Sequence, residues 1–146
     1  VDAVVTAMAA LDRLGLAPDI VDPLEPAVLL PQVAQGALAV ECRDDDELRT
    51  LLATIEDPSA RRAVDAERAF LAELGAGWDL PIAAHSRLRV DGSAAGGIVV
   101  TGALSSPDGT TLLREERTGT DGTSLGRAIA RHLLDDRGGA ALMGVS

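Results

Sequence analysis

The pattern of apolar positions divides the chain into a front part of short apolar runs and a back part with regular periodicity. Three runs in the front part have the apolar, β-branched character of strands: residues 1–5, 28–30 and 38–42. Good helix formers from Ala7 to Leu14 predict a short helix that ends at Gly15. Prolines interrupt the segment that follows, as is typical of a connector.

Two capping signals predict the next two helices. The acidic run Asp44–Glu47 favours the start of a helix that continues to about Ile55. Asp57-Pro58 is the corresponding signal for a second helix, which ends at Gly75. The second helix carries an apolar stripe at three- and four-residue spacing: Ala63, Ala66, Phe70 and Leu74. Its charged residues are interpreted as an exposed surface with local partners: Arg61, Arg62, Glu67 and Arg68.

After this helix the sequence changes to short strands separated by turn signals. The pair Asp91-Gly92 and the Ser-Pro-Asp-Gly segment at 106–109 are typical of hairpin turns. They separate three predicted antiparallel strands, at about 82–90, 97–105 and 110–118.

A last helix is predicted to begin at a cap provided by Thr123 or Ser124 and to end before Gly138. Its apolar residues lie on one stripe: Leu125, Ile129 and Leu133. A small antiparallel sheet needs a helical layer over its apolar face. The back part is therefore predicted to fold as an α-β-β-β-α unit of the mixed α/β (α+β) class.

Composition and charge exclude several functions. The chain of 146 residues has 23 acidic and 13 basic side chains, and its net charge of −10 disfavours binding to nucleic acid or to an anionic membrane surface. No apolar run reaches the length needed to span a bilayer. Cys42 is the only cysteine, which excludes an internal disulfide and fits a reducing, cytoplasmic setting. Within its apolar run it is expected to be a small, inert hydrophobe.

Three places are candidates for a functional site. The loop Gly75–Pro81 is one candidate, because it presents the large side chain of Trp78 between a helix end and a strand. The alternative interpretation is a helix cap followed by a turn, with Trp78 packed in the core, and residue type alone favours this alternative. Arg13 is a candidate carboxylate ligand or a surface arginine near a helix end. Gln35 and Gly36 either bring amide groups to a ligand or form a simple turn. The histidines have no metal-ligand spacing, so no metal site is predicted.

Three blocks of sequence, in this order, strongly resemble the porphobilinogen deaminase family, also called hydroxymethylbilane synthases. They are residues 11–16, residues 30–43, and residues 66–71 running into the glycine loop at 75–77. The turn at 106–109 matches as well. The resemblance extends over essentially the whole chain and over about the C-terminal half of the usual length of the family.

The resemblance implies a protein of three domains, of which the first two are α/β domains like those of periplasmic binding proteins. Residues 1–30 would be the tail of the second domain and residues 31–55 the return segment of the first. Residues 56–146 would be the third domain, an antiparallel sheet with helices, which agrees with the unit inferred from periodicity.

The family members are transferases of haem and tetrapyrrole biosynthesis, which join porphobilinogen units with loss of ammonia on a covalently held dipyrromethane cofactor. The resemblance implies that Arg13, Gln35 and Gly36 lie at the edge of the substrate cleft, with Arg13 binding an acetate or propionate group. The catalytic aspartate of the family lies in the first domain and has no counterpart in this chain. Ala34 stands where the family usually has glycine, which narrows the space for a close backbone approach.

Trp78 stands where the family has the cysteine that binds dipyrromethane through a thioether. An indole cannot act as that nucleophile, so no attachment is expected at this position. The hypothesis is that the chain is a C-terminal portion of the enzyme, inactive alone, with porphobilinogen and the missing N-terminal half as partners. The alternative is a stand-alone, non-catalytic protein in which Trp78 fills the cofactor pocket and which binds a protein partner or a tetrapyrrole.

Overall fold

The computed structural model describes residues 2–75, 81–89 and 96–143. Its elements in chain order are α1 (Met8–Arg13), a 3₁₀ turn (Ala17–Asp19), α2 (Asp46–Ala53), α3 (Pro58–Leu74), β1 (Ile82–Leu88), β2 (Ile98–Ser105), β3 (Leu112–Gly119), α4 (Gly122–Arg131), a π-helical turn (His132–Asp136) and α5 (Gly139–Leu142). The predicted α-β-β-β-α order of the back part is confirmed, with the short α5 as an addition. None of the described helices has the length and hydrophobicity that a bilayer crossing requires.

The three strands form one antiparallel sheet in the order β1-β2-β3. The central strand β2 is buried almost throughout, and its Ile98, Val100 and Leu104 pack against the helices. Phe70 of α3 and Ile129 of α4 are fully buried between the helices and the sheet. The helical layer therefore covers the apolar face that the predicted stripes were expected to cover.

Two glycines allow the helices and the sheet to approach closely. A Cβ atom on Gly126 of α4 would overlap the carbonyl oxygen of Ala66 in α3. A Cβ atom on Gly102 of β2 would lie 2.6 Å from a ring carbon of Phe70. Because protein interiors are packed without room for such overlaps, α3, α4 and β2 require glycine at both positions.

The boundaries of α2 and α3 follow their capping signals. The Asp57 carboxylate accepts hydrogen bonds from the backbone N–H groups of Ser59 and Ala60, and Gly75 ends α3 with a left-handed φ of 63°. Asp45, inside the predicted acidic run, caps α2. Both helix starts are confirmed, although α2 is two residues shorter at its C-terminal end than predicted.

The cap of α4 corrects the sequence prediction. Asp121, rather than Thr123 or Ser124, precedes the helix, and its carboxylate accepts hydrogen bonds from the backbone N–H and the hydroxyl of Ser124. These bonds lower the pKa of Asp121. A carboxylate is a strong N-cap acceptor, so the helix begins three residues earlier than a Ser124 cap would allow.

The strands lie within about two residues of their predicted positions, and the turn between β2 and β3 is confirmed. The N–H of Gly109 donates to the carbonyl oxygen of Ser106 at 2.9 Å, and Gly109 has a φ of 71°. The predicted turn at Asp91-Gly92 lies outside the described residues.

The three apolar runs of the front part do not form strands, which corrects the sequence prediction. Residues 2–5 and 38–42 have no regular structure, and residues 28–30 belong to a turn region in which the N–H of Val28 donates to the carbonyl oxygen of Glu25 at 2.8 Å. An extended segment needs a neighbouring strand for its hydrogen bonds, and no described strand pairs with these runs. Cys42 is accordingly exposed rather than packed.

The front part also reaches the far side of the sheet. The guanidinium of Arg114 in β3 donates to the carbonyl oxygens of Ala27 and Pro26 at 3.0 and 3.1 Å. On the same face, the hydroxyl of Thr101 donates to Glu116 at 2.9 Å. The two hydrogen bonds of Arg114 therefore attach this segment to β3.

Candidate functional site

A turn of the front part lies beside the outer edge of β1. Residues 33–36 form this turn, in which the N–H of Gln35 donates to the carbonyl oxygen of Gln32 at 3.1 Å. Just before it, the carbonyl oxygen of Pro31 accepts the N–H of Ala84 in β1 at 3.2 Å. The turn segment therefore satisfies part of a strand edge that would otherwise present unpaired backbone groups.

Glu67 of α3 joins this turn to β1. Its Oε2 accepts the N–H of Ala34 at 2.7 Å, and its Oε1 accepts the N–H of Ser86 at 2.7 Å. The residue is only 6% exposed, which corrects its interpretation as a surface charge of the helix. A carboxylate tolerates burial when charge-assisted hydrogen bonds satisfy both of its oxygens.

Opposing effects act on the acidity of Glu67. Burial raises its pKa above the ordinary value of 4.5, whereas the N–H groups of Ala34 and Ser86 and the charge of His85 act in the opposite direction. The pKa is raised overall, so the removal of the carboxylate from water outweighs its hydrogen bonds.

A sequence signal for this burial exists. Glu67 lies four residues after Ala63 and three before Phe70, and thus within the apolar stripe of α3. The stripe predicts burial of the side chain but not its partners, since these lie 33 residues earlier and 19 residues later in the chain.

Ala34 adopts a left-handed backbone conformation, with a φ of 60°, and is the only non-glycine residue to do so in the part of the chain that the structure describes. This conformation costs an L-residue about 1 kcal/mol, whereas glycine adopts it freely. The conformation gives a local reason for the glycine that the family resemblance leads one to expect at this position.

The other predicted site residues lie in three different places. Gln35 and Gly36 are exposed in the turn beside β1. Arg13 is exposed in the last turn of α1. Among the described residues, no hydrogen bond or ion pair joins Arg13 to the turn at residues 33–36. Trp78 lies outside the described residues. Gln35 and Gly36 thus directly follow Ala34, whose N–H is bonded to the buried Glu67 carboxylate. The sequence interpretation missed this bond.

A second polar cluster surrounds His132 at the start of the π-helical turn. Its Nδ1 lies 2.8 Å from Oδ2 of Asp136 and its Nε2 lies 3.9 Å from Oε2 of Glu115. Within the described ranges, no group of three or more His, Cys, Asp or Glu side chains is arranged to hold a metal ion. The cluster connects β3 to the end of the helical layer.

Comparison with known proteins defines the class of this molecule. Residues 61–135 match the family model described as the porphobilinogen deaminase C-terminal domain. This range contains the whole sheet, α4, and all of α3 except its first three residues. Residues 1–50 match the model described as the porphobilinogen deaminase, dipyromethane cofactor binding domain. The chain therefore belongs to the porphobilinogen deaminase family.

Curated relatives named porphobilinogen deaminase agree with this result. The protein of Roseiflexus castenholzii is 44% identical over 146 residues, which cover 98% of this chain and 46% of the relative. The proteins of Geobacillus kaustophilus and Mycobacterium ulcerans are 42% and 41% identical over 97% and 92% of this chain, and each is covered over 45% of its own length. The chain thus spans about half the length of the relatives it matches.

Proposed function

We propose that this chain serves as the C-terminal portion of a porphobilinogen deaminase, which joins porphobilinogen units into the linear tetrapyrrole hydroxymethylbilane and releases ammonia at each step. The observation that carries the proposal is the match of residues 1–50 and 61–135, in that order, to two domains of one family. In this proposal residues 1–30 and 31–55 belong to the second and first domains, and residues 56–146 form the third.

The chemistry divides the work between this chain and the rest of the enzyme. Loss of ammonia leaves a cationic azafulvene, which a carboxylate stabilises. In the family this carboxylate belongs to an aspartate of the first domain. The aspartate has no counterpart in this chain, so the chain by itself is expected to be inactive. The exposed guanidinium of Arg13 is accessible to a substrate carboxylate, and the exposed amide groups of Gln35 and Gly36 are accessible to the same ligand.

In this proposal the front part carries the surface that binds the remaining portion of a deaminase. Among the described residues, all exposed large apolar side chains except Leu112 precede α3, and Val21 and Leu38 are 97% and 83% exposed. Exposed apolar side chains favour association, because their burial removes apolar surface from water. Since the relatives are about twice as long, the proposed occupant of this surface is the N-terminal half of a deaminase.

A mixing experiment tests this assignment. The chain would be combined with the N-terminal half of the Roseiflexus castenholzii protein, and association measured by analytical ultracentrifugation. We expect a one-to-one complex. Replacing the exposed Val21 and Leu38 by serine weakens it, whereas the matched change of the exposed Leu112 to serine does not. Absence of a complex would overturn the proposed partner.

Attachment of dipyrromethane is the second test. We expect intact mass spectrometry of the complex to show no covalent adduct on this chain, because Trp78 lacks a thiol. A Trp78→Cys variant should gain the adduct and convert porphobilinogen. The same variant with Cys42→Ala should behave identically, which assigns the adduct to position 78 because Cys42 is an exposed free thiol. An adduct on the unaltered chain would contradict the proposal.

A non-catalytic role is the second candidate, and the residue that favours it is Trp78. In this case Trp78 fills the former cofactor pocket, and the chain binds a tetrapyrrole or a protein partner without turnover. Binding of hydroxymethylbilane by the chain alone, measured by quenching of its single tryptophan, would favour this role. Conversion of porphobilinogen by the unaltered complex would exclude it.

A further inference from the structure

We propose that Glu67 is a positioning residue for the ligand site: its buried carboxylate holds the turn that carries Gln35 and Gly36 in a fixed place beside the edge of β1. The inference rests on the proposed function, because it takes this turn as a part of the substrate cleft. Glu67 itself touches neither residue and acts through the backbone of Ala34.

The two hydrogen bonds of the carboxylate link segments that are distant in sequence. One oxygen binds the N–H of Ala34 in the turn and the other binds the N–H of Ser86 in β1, each at 2.7 Å. A carboxylate with both oxygens bonded has a defined rotamer. Its helix is held in turn by Ala66 and Phe70, which are fully buried on either side of Glu67.

The backbone of Ala34 indicates what this link does. A left-handed φ of 60° in an alanine persists only where the surroundings impose it. Two bonds flank this residue: the Pro31 carbonyl accepts the N–H of Ala84, and the Ala34 carbonyl accepts the N–H of Ala37. Neither of them engages the N–H of Ala34. The bond to Glu67 is the one that fixes the orientation of this peptide unit.

The orientation of Ala34 determines where the next residues point. Gln35 and Gly36 follow it directly and are exposed, so a change in the Ala34 dihedral angles moves both of their amide groups. Buried polar groups with complete hydrogen bonding are an effective way to preorganise such a site. Glu67 is thus expected to affect ligand binding from beneath the turn.

Hydrogen exchange of backbone amides tests the link without any ligand. In Glu67→Ala, exchange of the Ala34 and Ser86 amides should accelerate by at least about tenfold, the effect of losing one hydrogen bond of charged type. Glu67→Gln, which keeps one acceptor oxygen, should accelerate one of the two amides and guards against failure of the alanine variant to fold. Glu73→Gln is the matched control, since Glu73 lies on the same helix and pairs with Arg131. Unchanged exchange at Ala34 in both Glu67 variants would overturn the proposal.

A second readout separates positioning from general stabilisation. Ala34→Gly should raise the urea midpoint of the unaltered chain, because it removes backbone strain. In the Glu67→Ala background it should give no rise, because the turn is then free to leave the left-handed conformation. Equal shifts in the two backgrounds would contradict an action of Glu67 through Ala34.

Kinetics of the complex described above, with Trp78→Cys, complete the test. Glu67→Ala should lower kcat/KM for porphobilinogen, and the matched Glu73→Ala should leave it unchanged. An unchanged kcat/KM in Glu67→Ala would overturn the positioning role. An inactive complex before any change at Glu67 would overturn the proposed function instead, and the exchange result would still decide whether Glu67 fixes the turn.

Discussion

The parts of the chain before and after Asp57 differ in what holds them in place. After Asp57, large apolar side chains are buried between α3, α4 and the sheet, and Leu112 is the one exposed exception among the described residues. Before Asp57, the described apolar side chains are mostly exposed, and the helices α1 and α2 contain no buried residue. The same residue types therefore form a core in one region and an open surface in the other.

Polar bonds attach the front part to the back part, and Val33 of the front part also packs against the apolar core. These bonds involve Pro31 with Ala84, Ala34 with Glu67, and the Arg114 guanidinium with two front-part carbonyl groups. A single hydrogen bond contributes about 1 kcal/mol, whereas a large buried side chain contributes several times more. Stability is accordingly expected to reside in the back part and to respond little to changes in the front.

The largest expected effect is the loss of the central aromatic side chain. Phe70→Ala should lower the free energy of unfolding by roughly 3–5 kcal/mol, because Phe70 is fully buried between both helices and β2. Leu51→Ala should change it by less than about 0.5 kcal/mol, because Leu51 is 62% exposed. Urea denaturation measures both values, and a similar loss in the two variants would contradict the division of the chain.

The next effect compares two glycines, one from each region. Gly126→Ala should destabilise the protein by about 1–3 kcal/mol, since its Cβ would overlap the backbone of Ala66. Gly36→Ala should be nearly neutral, because a Cβ at this position meets no atom within 4 Å. The thermal unfolding midpoints of the two variants measure this difference. A large drop in the midpoint of Gly36→Ala would contradict the open space around Gly36.

A stabilising change of smaller size is expected at Ala34. Ala34→Gly should raise the free energy of unfolding by about 0.5–1 kcal/mol, because glycine adopts the left-handed φ of 60° without strain and its greater freedom in the unfolded state offsets only part of this gain. Ala37→Gly, three residues later, is the control and should not stabilise. A loss of stability in Ala34→Gly would contradict the strained conformation.

The smallest effect is a pH dependence that comes from Glu67. Its folded-state pKa is raised above 4.5, so its contribution to stability is fully present below that pH and declines as the pH rises through the folded-state pKa. The loss of stability caused by Glu67→Gln should therefore be greater at about pH 4 than at about pH 7. Glu73→Gln supplies the background from a carboxylate on the same helix, and an opposite slope for Glu67→Gln would contradict the direction of the shift.

Agreement between sequence and structure is best where local chemistry decides. The cap at Asp57, the left-handed end at Gly75 and the turn ending at Gly109 are all present as predicted, because each depends on a few neighbouring residues. The apolar run at 38–42 is wrongly predicted as a strand, since apolar β-branched residues give strand character without supplying the neighbouring strand.

The candidate site divides in the same way. The turn that contains Gln35 and Gly36 is local and was one of the two interpretations of these residues, whereas their part in a ligand site stays a prediction. The hydrogen-bond partners of Glu67 were not recognisable, because its two donors come from the turn and from β1, which only the folded chain brings together.

The sequence by itself determined the starts of α2 and α3, the three-stranded order of the back part and the family, since periodicity, caps and ordered motifs are written in neighbouring residues. Only the tertiary structure decided which apolar residues are buried, which carboxylate lies inside, and which backbone turn borders β1. The physical reason is that burial depends on surfaces supplied by distant segments, and a charge such as that of Glu67 is stable inside only where those segments bring hydrogen-bond donors to it.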